Sequence, residues 1–297
     1  MIHILVFAKS IDAEQAVFVK ELIDKCAAKS VRLSFFDKMY SETSKWLSIP
    51  EDIKCLPVTD FGNGVGIDFL FSLGGDGTLL EASMIIADSG IPIVGINMGR
   101  LGFLASIEKK LIAQTIDKLI NGEYTLEKRA LLHFTSNESQ FSAFPYALND
   151  MTLIKRDHSS MVVIHTVVNG EFLNSYWADG VILSTPTGST GYNLSCGGPI
   201  LIPTAENFII TPIAPHNLSV RPLVVPDSSI LEFTIEGRGE NFLCTLDSRH
   251  EVISQSTKIK VRKAPFAINL VKLPKITFMK TMRDKLQWGR DTRNYKK

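Results

Sequence analysis

With 297 residues, 45% of them hydrophobic and 21% charged, the chain has material for about two globular domains and a sizeable core. Its formal net charge of +1 supplies no global field pointing to nucleic acid or to a membrane surface. Cys26, Cys55, Cys196 and Cys244 lie far apart, with no CxxC pair and no metal-ligand spacing, which fits reduced thiols in a soluble, cytoplasmic protein.

The opening "MIHILVFAKSIDAEQ" contains a short apolar run, but Lys9, Asp12 and Glu14 follow at once, so "IHILVF" is predicted as a first strand and not as a signal peptide. Ala16, Val19, Leu22, Ile23 and Cys26 recur at helical spacing, and "VRLSFF" is a second strand. A polar, less regular stretch spans Tyr40 to Gly66. "DFLFSL" follows, then a helix over about 78–87, then the buried strand "IPIVGIN". Apolar positions 111, 112, 115, 116, 119 and 120 predict a helix that Gly122 caps at its C-terminal end. Short β–α–β units of this kind imply a parallel sheet with helices on both faces, so residues 1–124 are predicted as an α/β, Rossmann-like domain.

After Tyr124 the pattern changes to short strand-like runs: "LLHFTS", "YALNDMTLI", "MVVIHTVV", "VILST", "ILEFTIE", "NFLCTL", "KIKVR" and "FAINLV". Asn169–Gly170, between two such runs, is a strong hairpin signal. Residues 125–271 are therefore predicted as a mostly antiparallel, β-sandwich-like domain. The mild stretch from Gly197 to Val220 holds six prolines or glycines and cannot be a membrane helix. Residues 272–297 carry nine Lys/Arg against two Asp/Glu, a net of +7 that leaves −6 for the rest. This basic tail contains "KTMRDKLQWG", a closing helix whose Leu286 and Trp288 are expected to pack on a domain the pattern leaves unspecified.

Glycines 62, 64 and 66 resemble part of a dinucleotide fingerprint, yet they precede their strand, whereas the Rossmann mechanism needs them between strand and helix. No Gly-Lys dipeptide exists, which removes the P-loop NTPases, and there is no HExxH. "DFLFSLGGDGTLLEAS", residues 68–83, does put glycines after a strand and before a helix. Backbone N–H groups and the helix dipole there favour an anion. Gly74, Gly75 and Gly77 let the backbone approach a phosphate closely. Asp76 is the oddity, since a carboxylate repels phosphate. It could simply cap the helix. It could instead face a divalent cation or a hydroxyl about to be phosphorylated, accepting that hydroxyl's proton. The turn holds no lysine, so on the second reading its charge is offset by Mg²⁺ or by cations from elsewhere. No metal-ligand set is assigned.

"GGDGT" at 74–78 is shared with diacylglycerol and sphingosine kinases and, more distantly, phosphofructokinases. "GINMGRLGFL" (95–104), "ALNDMTL" (147–153), "DGVILSTPTGSTGYNLSCGGPI" (179–200) and "TPIAPHNLSVRPLVV" (211–225) follow in order, and with them the chain resembles the NAD kinase family. That resemblance implies a Mg²⁺-dependent phosphotransferase that uses ATP to phosphorylate the 2′-hydroxyl of NAD's adenosine ribose. It implies that Asp76 is the catalytic base, with Gly74, Gly75 and Gly77 at the phosphates and Leu80 and Phe103 against the nucleotide. It places Asn149 and Asp150 on ribose hydroxyls. Asp179, Thr187, Thr190, Tyr192 and Ser195 would hold the rest of the dinucleotide, with backbone help at Gly191 and Ala214, and Arg249 a late contact. It further implies a homo-oligomer, a dimer or tetramer. Two positions depart from the family pattern: Asp150 stands where Glu is common, and Trp177 where a basic residue is frequent. Two other readings are a lipid kinase, which leaves "STPTGSTGY" and "TPIAPHNLSVRP" unexplained, and a catalytically silent NAD-binding sensor, distinguished by NAD binding without product.

Overall fold

The computed structural model describes residues 1–57, 66–156, 161–239 and 241–288. It forms two compact units, Met1–Lys128 together with the chain from Ile268 onward, and Arg129–Ala267. Glycines 62 and 64 and the last residues of the basic tail lie outside the described residues.

In the first unit the elements are β1 (His3–Phe7), α1 (Ala13–Ala28), β2 (Arg32–Phe36), α2 (Asp37–Thr43), β3 (Lys54–Leu56), β4 (Phe69–Gly74), α3 (Asp76–Ile86), β5 (Ile93–Asn97), β6 (Ile107–Glu108) and α4 (Ile112–Ile120). Every residue of β1 and β5 is buried, as strands covered on both faces must be. β1 pairs in parallel with both β2 and β4; β3 extends the sheet beyond β2, and β5 extends it beyond β4. The order β3-β2-β1-β4-β5 reverses direction between β1 and β4. In such sheets ligands settle outside the carboxyl ends of the strands at that switch point. Gly74 is the carboxyl end of β4.

α1 buries Ala16, Val19, Leu22, Ile23 and Cys26, the predicted stripe. A capping box starts it: Asp12 accepts from the Gln15 N–H at 2.8 Å, and the Gln15 side chain accepts from the Asp12 N–H. α4 buries Ile112, Thr115, Ile116 and Leu119, and Gly122 beyond its end has φ +71°, the left-handed backbone expected of a glycine there. Lys25 and Asp117 join α1 to α4 at 2.6 Å. The polar stretch after Tyr40 differs from expectation, because α2 reaches into it and β3 lies within it. α2 buries only Met39 and Thr43, two positions that carry too little periodicity to be read from sequence.

The second unit contains most of β7 (Thr125–Ser136), then β8 (Tyr146–Ala147), β9 (Asp150–Lys155), β10 (Val162–Val168), β11 (Glu171–Ala178), β12 (Gly180–Ser184), the one-turn helix α5 (Tyr192–Ser195), β13 (Asn207–Ile213), β14 (Leu223–Pro226), β15 (Leu231–Gly237), β16 (Asn241–Leu246), β17 (Arg249–Ser254) and the first part of β18 (Ile259–Lys272). One antiparallel sheet runs β14-β13-β12-β9-β16-β17. In the other, β10 lies between β11 and β15, and β15 pairs with β18. Alternate side chains of both sheets meet in one core that includes Phe208, Phe233 and Phe242, each contributing about 1.5–3 kcal/mol on burial. Asn169 (φ +52°) and Gly170 (φ +83°) turn β10 into β11 as predicted, and the Asn169 Oδ1 accepts from the Ile230 N–H at 2.8 Å.

The closing segment belongs to the first unit. Leu270 of β18 pairs in parallel with Ile93, and α6 (Phe278–Leu286) follows, with Thr277 capping it through the Lys280 N–H. The expected packing of Trp288 is corrected: the indole is 52% exposed, and Phe278 at the other end of α6 makes the aromatic contact instead. No helix among the described residues is long and apolar enough to cross a membrane.

Candidate active site

In the first unit the site grows from the end of β4. A Cβ on Gly74 would lie 2.3 Å from Thr78 Oγ1, so the turn closes only on glycine. A Cβ on Gly75 or Gly77 would meet nothing within 4 Å. Packing therefore does not demand those two glycines, and their backbone stands open to a ligand. Gly75 is the N-cap of α3 without a side-chain bond, and Asp76 is the first helical residue.

The Asp76 carboxylate does not cap the helix. It reaches to the loop after β5 and accepts three consecutive backbone N–H groups: Phe103 on Oδ2 at 2.9 Å, and Leu104 and Ala105 on Oδ1 at 3.0 and 2.9 Å. Lys285 of α6 stands 3.8 Å from Oδ2. The offset for this charge, expected from Mg²⁺ or distant cations, is thus supplied first by main-chain dipoles of the same unit. A carboxylate oxygen has two acceptor positions. Oδ1 is filled and Oδ2 keeps one open. Gly102 was missed by sequence reasoning: a Cβ there would sit 1.9 Å from Asp76 Oδ1, so the aspartate itself imposes that glycine. Asn97 was missed too; its side chain accepts from the Gly99 N–H and donates to the Arg100 carbonyl, folding the turn that leads to those amides. Leu80 is half-buried on α3, and Phe103 is buried with its ring toward Phe278 and Lys285.

In the second unit the cluster is built around Asn149 and Asp150, where β9 begins. The hydroxyl of Thr185 donates to the Leu148 carbonyl at 2.6 Å, and its N–H donates to the Asn149 carbonyl at 2.9 Å. A Cβ on Gly188 would lie 2.1 Å from the Asn149 oxygen, which brings "STPTGSTGY" hard against that strand end. Gly191 faces the Asn149 and Asp150 side chains, at 3.8 and 3.9 Å from where its Cβ would be. Buried Thr187 accepts from Arg129 at 3.2 Å, and Thr190 bonds back to the Thr187 carbonyl. Asn193, also overlooked in the sequence, pins α5 by donating to the Ser189 and Pro199 carbonyls and accepting from Thr211. Tyr192 is 46% exposed and Ser195 is exposed, both available to a ligand.

Asp247 is the main residue that sequence reasoning passed over. It is half-buried between β16 and β17 at φ +53° and accepts the N–H groups of Leu148, Asn149 and Asp150 at 2.9, 2.7 and 3.2 Å. Burial raises its carboxyl above the ordinary range, with those amides and Arg249 acting in opposition. Burial, and then the neighbouring Asp247 charge, push Asp150 up to about 7, with Thr152 opposing. The folded chain thus holds the Asp150 proton to higher pH than the unfolded chain. That contribution to stability is complete below about 3.8 and lost as pH rises through about 7. Asp150→Asn should flatten the fall in Tm over that window and melt above the wild type at pH 8, with both measured by calorimetry; a wild-type pH profile in the variant contradicts the assignment.

Asp179 pairs with Lys155 at 2.6 Å and its N–H donates to the Ile213 carbonyl, next to Ala214, whose φ of +45° is strained for a side chain with Cβ. This group lies at the opposite end of β12 from Asp150, which pairs with Ser184. The Tyr192 phenol feels both ends: burial raises it first, then Cys196, Asp150 and Asp179. Arg249 is half-buried at the start of β17. Its guanidinium donates to the Phe144 and Tyr146 carbonyls and lies over the rings of Phe141 and Phe144. Trp177 is exposed, and its carbonyl accepts from the His216 N–H, so no cation comes from that position.

Family models described as ATP-NAD kinase N-terminal domain and ATP-NAD kinase C-terminal domain match residues 8–124 and 148–273. The chain belongs to the NAD kinase family. A protein named NAD kinase from Cytophaga hutchinsonii is 54% identical over 236 residues, which is 80% of each chain. One from Flavobacterium psychrophilum is 49% identical over 76% of this chain and 78% of its own. Among solved structures, the yeast NADH kinase complexed with NADH shares the fold with a TM-score of 0.86 at 23% identity, covering 98% of this chain and 89% of its own. An NAD kinase from Archaeoglobus fulgidus in complex with ATP aligns with a TM-score of 0.71 at 25% identity, over 97% and 98% of the two chains. The enzyme is accordingly a phosphotransferase of this family, and the lipid-kinase and silent-sensor readings are not favoured.

Proposed function

We propose that the enzyme transfers the terminal phosphoryl group of ATP to the 2′-hydroxyl of NAD's adenosine ribose, with Asp76 as general base. The observation that carries this reading is the carboxylate at the switch point, held by three amides with one acceptor position of Oδ2 still open. In the proposed step the 2′-oxygen forms its bond to the terminal phosphorus, the bond to the bridging oxygen breaks, ADP leaves, and the hydroxyl proton passes to Oδ2. Base catalysis of this kind contributes about 10²–10⁴-fold, and positioning supplies much of the remainder.

Gly74, Gly75 and Gly77 would present main-chain N–H groups to the phosphates, with Leu80 and Phe103 as apolar neighbours. In the second unit Asn149 and Asp150 would engage ribose hydroxyls. Asp150 is well suited to that while it keeps its proton, since it can then both donate and accept. Thr187, Thr190, Gly191, Tyr192, Ser195, Asp179 and Ala214 would hold the rest of the dinucleotide. Arg249 would act indirectly by fixing the 144–146 turn.

Among the described residues no group of three or more His, Cys, Asp or Glu could hold a metal ion. We read Mg²⁺ as carried on the nucleotide's phosphates, where it would need few protein ligands. When bound, the ion neutralises charge on the donor phosphates. We further read the enzyme as a cytoplasmic homo-oligomer. The test mixes purified protein with NAD, ATP and Mg²⁺ and follows NADP. Product is expected and should vanish on chelation; heat of NAD binding without product would sink the kinase reading in favour of a sensor.

A further inference from the structure

α6 carries a lysine to the glycine turn, which has none of its own. Phe278, at the helix start, meets Phe103 with ring centroids 6.1 Å apart. Two turns later, Lys285 places its ammonium 4.7 Å from the centre of the same ring. The helix therefore grips Phe103 at both ends, and Phe103 is the residue whose N–H donates to Asp76 Oδ2. From that hold Lys285 stands 3.8 Å from Oδ2, too far for a hydrogen bond, with its side chain 36% and that of Asp76 29% exposed. Among the described residues the ammonium makes this ion pair and the ring contact but no hydrogen bond.

So open a pair does little for stability. The ammonium has a clearer use once a polyanion arrives. An ammonium with three undonated protons on a flexible stem binds phosphate as a compact point charge. We infer that Lys285 is a catalytic residue that contacts the terminal phosphate of ATP, turning from Asp76 to the phosphate oxygens as the donor binds. It would neutralise the transferring group and leave Asp76 without its counter-ion when the alcohol reaches it. This rests on the reading of the Gly74–Thr78 turn as the donor-phosphate site.

Lys285→Met is expected to lower kcat/KM for ATP about 10–100-fold, less than the loss of a fully enclosed donor because the pair is open. KM for NAD and the Tm should stay unchanged, and Lys285→Arg should recover most of the activity. Calorimetry with Mg·ATP in an Asp76→Asn background, where turnover is slow, should show weaker binding when Lys285→Met is added. Wild-type ATP parameters in Lys285→Met, a loss confined to NAD or to Tm, or no rescue by Arg would each overturn the inference. Gly75→Ala and Gly77→Ala, whose added Cβ meets nothing within 4 Å, separate the two readings. If only the lysine inference fails, these variants lose ATP affinity while Lys285→Met does not. If the turn is not the phosphate site, they keep it.

Discussion

Asp76→Asn is expected to lower kcat by about 10²–10⁴-fold while NAD affinity changes little. The substitution removes one charge and swaps one oxygen for an amide nitrogen. With Leu104 and Ala105 both donating to Oδ1, the remaining oxygen is best placed there. The new NH₂ then faces the Phe103 N–H and Lys285, donors that Oδ2 had faced as an acceptor. The variant therefore loses the proton acceptor and loosens the loop at Phe103. Hydrogen exchange at the 103–105 amides reports the second effect separately from turnover. Turnover at the wild-type rate with normal NAD binding would defeat the assignment of a catalytic carboxylate. A loss of turnover accompanied by an equal loss of NAD binding would make Asp76 a strut for the loop instead of a base.

Asp247→Ala should be the most destabilising of the simple substitutions, at about 2–4 kcal/mol. Three adjacent main-chain donors lose their acceptor together. The gross loss is larger. Asp247 is itself costly to bury as a charge, as the upward push on its carboxyl indicates, and its removal relieves Asp150 of a like charge. At a few degrees per kcal/mol for a chain of this size, Tm should fall by about 5–15 °C. The alkaline limb of kcat/KM for NAD should also move down in pH, since Asp150 works while protonated and is then raised by burial alone. A Tm within a degree or two of wild type would show that the 148–150 amides find other partners.

The strands were legible because burial on both faces leaves unbroken apolar runs, as in β1 and β5, and burial on one face leaves alternation, as in β15. α1 and α4 were legible because their buried residues recur at helical spacing, and the 169–170 turn because its backbone needs residues that tolerate positive φ. The position of Asp76 in a strand–turn–helix was equally plain. What the chain concealed was the set of groups that answer a buried charge. Phe103, Leu104 and Ala105 do so through amides, which every residue has, so their identities say nothing about it. Gly102 and Asp247 were concealed for a related reason: each is explained only by an atom 26 or more positions away, at 1.9 Å from a built Cβ in one case and across β9 in the other. Trp288 misled because an aromatic residue near a helix end resembles an anchor, whereas Phe278 holds the helix.

The return of the closing segment to the first unit bears on synthesis. A ribosome releases residues 1–128 long before Ile268, yet their sheet still lacks the strand at Leu270 and the glycine turn still lacks α6. The second unit can thus be complete while the first still waits for its last strand and helix, because contacts of such long sequence separation form late. On the proposed reading, phosphoryl transfer waits until Leu270 and α6 have joined the first unit.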